Sequence, residues 1–364
     1  MLGIRRILPG GATMKFRLSE LATVTWTTLL ALAATWLLLW PATAAADGTL
    51  TQQARALQRA QQAVVGVQVV AVDEARSART LGRNRQGSGV LISTDGMVLT
   101  IGYLVLEAER VELLRDDGRP VPARVVGYDV ATGFGLVQAL APLGLEPVPL
   151  GRADQLAPQA ALMVASGGDD GAVSVAELVA RRPFSGYWEY HIDGALFTAP
   201  PRRDHSGAGL FNAAGELVGI GSLVVADAAG TAAGSQPGPR RSGNMFVPVD
   251  LLAPILADLR KQGFGAPSRR AWLGLNCAEI EGRIRVVRVN DDSPADVAGL
   301  EVGDRILRID GTEVQTLAGL WQTLWEGGAP EREISLLIER ADQQQTLKVY
   351  SVDRMKTLKR SQGI

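Results

Sequence analysis

The chain runs through four successive hydrophobic patterns. Residues 21–40 carry no charge and have an apolar centre at 29–40. Lys15 and Arg17 precede this stretch, and Pro41 and Ala42-Thr43-Ala44-Ala45-Ala46 follow it. A basic start, an apolar core and a small-residue exit predict a secretory signal peptide over 1–46; because 20 residues can just cross a bilayer, a membrane anchor is the alternative. Residues 50–63 read as a short helix. From 64 to 249 the apolar positions fall in short β-like runs, punctuated by Gly, Asp and Pro: 64–72, 89–93, 97–101, 121–128, 136–139, 161–165, 217–225 and 245–249. This spacing predicts an all-β barrel or sandwich. Residues 250–262 place Leu251, Leu252, Ile255, Leu256 and Leu259 at helical spacing, and 263–270 have linker composition. A second unit then shows strands at 284–289, 305–309, 334–339 and 346–351, with a helix near 317–325. The expected order is therefore a leader (1–46), a β-rich domain (47–262), a linker (263–270), a second domain (271–352) and a tail (353–364).

Composition narrows the chemistry. The 364 residues include one cysteine, Cys277, and two histidines, His191 and His205. Neither an internal disulfide nor a zinc cluster can be assembled from these, so no metal or cofactor is expected. Cys277 is expected to act as a small buried apolar residue. The formal charge of −1 supplies no field for nucleic acid. Removing 1–46 leaves 33 basic against 37 acidic residues, a mildly acidic exported chain.

Three segments of the β-rich unit are similar to the trypsin-like domain of the HtrA (DegP-type) serine proteases. Gly87-Ser88-Gly89-Val90-Leu91-Ile92-Ser93-Thr94-Asp95-Gly96-Met97-Val98-Leu99-Thr100 resembles a hairpin of that family, with Asp95-Gly96 at the tight turn. Val126-Gly127-Tyr128-Asp129-Val130-Ala131-Thr132-Gly133-Phe134-Gly135-Leu136-Val137 resembles the stretch that carries the family's aspartate. Ser206-Gly207-Ala208-Gly209-Leu210-Phe211-Asn212 resembles the stretch that opens on its nucleophile. The last unit resembles a PDZ domain through Trp272-Leu273-Gly274-Leu275, Ser293-Pro294-Ala295-Asp296-Val297-Ala298-Gly299-Leu300 and Gly303-Asp304-Arg305-Ile306. The resemblance implies a mainly β fold: a trypsin-like double six-stranded β-barrel followed by a PDZ domain.

By the same resemblance the catalytic set is incomplete. Ser206 stands at the nucleophile position, Tyr103 where the family has its histidine, and Gly133 where it has its aspartate. Serine chemistry needs a base in hydrogen-bond reach and a third group to orient it. A phenol with pKa near 10 is only about 0.1% ionised at neutral pH. Asp204 stands where the family uses a glycine N–H to stabilise an oxyanion, and its carboxylate would oppose that charge. His205, next to Ser206 in extended chain, points to the opposite face, and His191 stands at no position the family uses. The expectation is a pseudoprotease; a serine endopeptidase with a non-standard base is the alternative. Arg202 and Arg203 are expected to be solvated loop charges, or to hold a peptide carboxylate.

In PDZ recognition an extended peptide adds to a sheet edge and its terminal carboxylate meets backbone N–H groups. The resemblance implies that Leu273, Gly274 and Leu275 supply those donors, beside Trp272. The 317–325 helix, through Leu317, Leu320, Trp321 and Leu324, would form the facing wall. Expected partners are protein C-termini or unfolded polypeptides, with an active HtrA-type protease as a further one, in the periplasm or on the periplasmic face of the inner membrane. The resemblance implies a trimer, which the family often forms through aromatic residues near the mature N-terminus; 47–64 contains none.

Overall fold

The computed structural model describes residues 50–169, 171–230 and 240–359. The expected signal peptide or anchor therefore lies outside the described residues. Among the described residues no helix is long and apolar enough to cross a membrane.

Strands β1 (Val64–Ala71), β2 (Asn84–Leu91), β3 (Met97–Ile101), β4 (Ala108–Leu114), β5 (Pro120–Tyr128) and β6 (Phe134–Ala139) close into a barrel in the order β1-β2-β3-β6-β5-β4. A second barrel, ordered β10-β11-β12-β9-β8-β7, is built from β7 (Ala161–Ala165), β8 (Val173–Gly186), β9 (Tyr190–Ala199), β10 (Gly209–Phe211), β11 (Leu217–Val225) and β12 (Gly243–Pro248). Closure removes the free edges that such short strands would otherwise expose. Val98, Leu99, Phe134, Leu136, Phe197, Ile220 and Val247 are fully buried in the shared core.

Strands β8 and β9 form the longest hairpin, in register Phe184↔Ile192, Ser185↔His191 and Gly186↔Tyr190. The register shifts between Arg182 and Phe184, at Pro183, because proline cannot donate to the ladder. The hairpin tip is Tyr187-Trp188-Glu189. These two strands fall outside the runs recognised in the sequence.

The expected helix over 250–262 is shorter than the periodicity suggests: Val249–Leu251 is a 3-10 turn, and the α-helix spans only Leu256–Gln262. The expected linker 263–270 is anchored to the first barrel. Asp129, fully buried, accepts from Gly265 N at 2.9 Å and Ser268 Oγ at 2.6 Å, and Arg270 Nη2 donates to Val130 O at 2.9 Å.

The C-terminal unit contains β13 (Ala271–Trp272), β14 (Leu275–Ile280), β15 (Arg283–Val289), β16 (Arg305–Ile309), β17 (Thr312–Glu313), β18 (Glu333–Arg340), β19 (Gln343–Tyr350) and β20 (Val352–Asp353). Its main sheet runs β14-β15-β16-β18-β19, leaving β14 at an edge. The Leu317–Glu326 helix is capped by Thr316, whose Oγ1 accepts from Gly319 N at 3.0 Å. Its Leu317, Leu320, Trp321 and Leu324 are buried in the core of this unit together with Cys277. Burial pushes the Cys277 thiol pKa up, which keeps it protonated.

Candidate functional site: the Ser206 turn and the edge of β14

Ser206 sits in the turn that leads into β10 and is held against the first barrel. Ser88 N donates to Ser206 O at 2.8 Å, and Thr100 Oγ1 donates to Ser88 O at 2.6 Å. Gly207 at φ +74° makes this approach possible, since a Cβ there would run into Ser88 O.

Tyr103 reaches the same point from the helical turn Gly102–Val105, which follows β3. Its Oη lies 2.8 Å from Ser206 Oγ and 2.9 Å from Ser222 O. The phenol has one proton and the carbonyl has none. Ser222 O therefore takes the phenolic proton, and the Ser206 hydroxyl donates to the phenol oxygen. Burial pushes the phenol up to about 12, with the bond to Ser206 pulling slightly the other way. At neutral pH only about one molecule in 10⁵ carries a phenolate. A neutral phenol oxygen can accept this hydrogen bond but is too weak a base to take the Ser206 proton.

Gly133 adopts φ +85°, and a Cβ there would lie 3.1 Å from Tyr190 Oη. The Tyr190 hydroxyl donates to Thr132 O at 2.7 Å and is fully committed at that point. The space beside Gly133 is therefore occupied by an aromatic side chain from β9.

Among the described residues, neither histidine is hydrogen-bonded to Ser206. His205 Nδ1 lies 3.0 Å from Arg203 O and 3.2 Å from Arg202 O, so it donates into its own loop. Burial lowers its pKa, partly offset by those carbonyls and by Asp204. His191 Nδ1 lies 2.8 Å from Ser185 Oγ, and its Nε2 is 3.2 Å from Gln322 Nε2. Among the described residues, the only side-chain hydrogen-bond partner of Ser206 Oγ is Tyr103.

One expectation for this loop is corrected, that for Arg202. The Asp204 carboxylate accepts from Ser166 Oγ and from the Arg202 guanidinium (Nε at 2.9 Å). Burial pushes this carboxyl up, but the hydrogen bonds and charge of Arg202 and the bond from Ser166 outweigh it and hold the pKa below its usual range. Arg202 is no solvated charge: its side chain is only 11% exposed and also donates to Ser174 Oγ at 2.6 Å and Ala172 O at 3.0 Å. Asp204 supplies the countercharge that lets Arg202 be buried.

In the C-terminal unit, Leu273, Gly274 and Leu275 do turn their N–H groups to one point. Gly274 at φ +84° allows this, because a Cβ would strike Ser293. The point is filled from within the chain. Glu189 Oε1 accepts from Gly274 N at 2.7 Å, Leu275 N at 2.9 Å and Leu273 N at 3.2 Å, while Oε2 lies 3.1 Å from Leu273 N. Glu189 is 9% exposed. Burial pushes its carboxyl up, and the charge of Arg354 and the three N–H groups pull against that without cancelling it.

The hairpin tip also follows the β14 edge. Cys277 N donates to Tyr187 O at 2.7 Å, and Trp188 forms an antiparallel bridge with Asn276. On the other side, Trp321 Nε1 donates to Gly186 O at 3.0 Å. Of the expected wall residues, Leu317, Leu320 and Leu324 belong to the core, and Trp321 offers only its indole N–H to the tip. Trp272 is buried between β20, which it pairs through Val352, and the Arg354 guanidinium, 4.9 Å from its ring centroid. Sequence reasoning missed Glu189. Its one signal was an acidic residue between aromatics, Tyr187-Trp188-Glu189-Tyr190, in a chain with 5% aromatic residues.

Residues 87–220 match the model of a trypsin-like peptidase domain, and residues 271–350 that of a PDZ domain. The chain is 28% identical over 290 residues to a probable periplasmic serine endoprotease, DegP-like, of Ectopseudomonas mendocina, covering 74% of this chain and 57% of that protein. It is 28% identical over 250 residues to the serine endoprotease DegS of Haemophilus influenzae, covering 63% and 66%. The chain thus spans just over half the length of the DegP-like relatives. In fold it is similar to the HtrA-type protease AlgW solved with a tripeptide: TM-score 0.51, 22% identity, 83% of this chain and 97% of that one. The chain carries a trypsin-like peptidase domain followed by a PDZ domain, and in sequence and fold it is similar to HtrA- and DegP-type proteases.

Proposed function

We propose that this chain is a catalytically silent HtrA-family protein that acts in the periplasm by holding polypeptide C-termini or unfolded segments through its PDZ groove, as chaperone, adaptor or regulator in envelope protein quality control. The carrying observation is the contact between Tyr103 and Ser206 at 2.8 Å, where a group that cannot accept a proton stands beside the serine. Tyr190 filling the space next to Gly133 supports the same reading. The relatives named as periplasmic DegP-like proteins support the compartment. The convergent N–H groups of Leu273, Gly274 and Leu275 support carboxylate recognition, because carboxylate capture by such nests is a recurring mode of peptide binding.

The test is incubation of the purified protein with unfolded casein, beside Ser206→Ala. Equal, background-level cleavage by both is expected. Cleavage lost on Ser206→Ala would establish the endopeptidase reading instead.

A further inference from the structure

The geometry points to the β8–β9 tip as an internal ligand of the PDZ groove: Glu189 occupies the carboxylate nest, and an incoming C-terminal peptide must displace it. This rests on reading the groove as a peptide site, and it names how that site is regulated.

Peptide recognition of this kind has two parts, a strand added to a free sheet edge and a carboxylate received by backbone N–H groups. The chain's own hairpin supplies both. Strand β14 is an edge strand, and residues 187–188 lie antiparallel along it, with Cys277 N bonded to Tyr187 O. Running antiparallel, the tip arrives at the nest with Glu189, where a ligand's last residue would be. The main chain continues from there into β9 and has no α-carboxylate to offer. The Glu189 side chain provides a carboxylate in its place, and its Oε1 takes all three N–H groups. Four donors that an incoming peptide would use, those of residues 273, 274, 275 and 277, are therefore already engaged.

The arrangement is poised rather than permanently closed. A carboxylate buried to this degree carries a desolvation penalty that its hydrogen bonds only partly offset. The Trp188 ring stacks on Tyr190 of β9 at 5.6 Å and 12°, and the Tyr187 ring, which meets Trp188 edge to face, is more than half exposed. The tip can leave the groove as one piece with its aromatic neighbours. The ligand class is an extended polypeptide C-terminus with a free carboxylate.

The experiment measures fluorescence-anisotropy binding of labelled Phe-Ser-Gly-Tyr-Trp-Val, which repeats residues 184–188 and ends in a free carboxylate, and of its C-terminally amidated twin. Wild type is compared with Glu189→Ala, Glu189→Gln and the shortened carboxylate Glu189→Asp, each confirmed folded by near-UV circular dichroism. At least tenfold tighter binding to Glu189→Ala and Glu189→Gln than to wild type is expected, with Glu189→Asp in between and the amidated peptide weak throughout. Glu189→Gln and Glu189→Asp keep the test open if Glu189→Ala does not fold. Affinities equal within twofold for wild type and the variants would overturn the internal-ligand inference while leaving the groove a peptide site. No binding of the carboxylate peptide to any of the proteins would overturn the groove reading, and the inference with it.

Discussion

The Tyr103 hydroxyl lies 2.8 Å from Ser206 Oγ and at the same time 2.9 Å from Ser222 O, so that its single proton is committed to the carbonyl. Tyr103→Phe should therefore leave casein cleavage at background, since no base is lost. It should cost about 1 kcal/mol of stability through the missing bond to Ser222 O. Urea denaturation measures the stability; a gain of proteolysis in Tyr103→Phe would mean that the tyrosine masks a working base elsewhere.

Restoring the histidine alone should not restore the enzyme. In Tyr103→His the imidazole would lack an orienting carboxylate, and in the double variant with Gly133→Asp the new Cβ falls at φ +85° and 3.1 Å from Tyr190 Oη. Strain of about 1 kcal/mol or more from the left-handed backbone adds to that crowding. The expected result is background turnover in both variants, measured with casein. Turnover above the Ser206→Ala baseline in Tyr103→His alone would show that Gly133 and Tyr190 do not matter.

Asp129 should be a stability centre. It is fully buried and accepts from Thr132 N, Thr132 Oγ1, Gly265 N and Ser268 Oγ at 2.6–2.9 Å. Asp129→Ala leaves these donors buried without partners, and a loss of about 3 kcal/mol or more is expected. A urea midpoint within experimental scatter of wild type would show that segment 263–270 is not held by this residue.

His205 sets an acid-side dependence. Burial lowers its pKa in the folded protein, so the unfolded chain takes up the proton first. Its contribution is complete above the ordinary histidine value of about 6.5 and is lost as pH falls towards the lowered folded value. Between pH 7.5 and pH 5, the thermal midpoint of wild type should fall further than that of His205→Gln. Parallel pH profiles would contradict this.

The barrels and the PDZ unit were legible in the sequence because their strands are apolar runs bounded by turn residues. The predicted bounds 97–101, 161–165, 217–225 and 305–309 coincide with β3, β7, β11 and β16. Strands β8 and β9 escaped notice because they carry Glu177, Arg181, Arg182, Pro183, Asp193 and Gly194, and so show neither a clean alternation nor an apolar run. The proposed replacement of catalytic side chains rests on position alone. What fills the space could not be read that way: Tyr190 comes from the unrecognised β9, 57 residues after Gly133. The same holds for Glu189, whose partners lie more than 80 residues away on backbone N–H groups that carry no sequence signature. Arg202 read as a surface charge because its countercharge, Asp204, was assigned to a different task.

The central claim is that Ser206 is not activated. A fluorophosphonate probe reacts with a serine only when a base removes its proton, independently of any substrate preference. Incubation at pH 7.5 followed by peptide mass mapping reads Ser206 directly. The account predicts no modification of Ser206 above the level of an unactivated surface serine. Rapid, stoichiometric phosphonylation of Ser206, absent in Ser206→Ala, would contradict it.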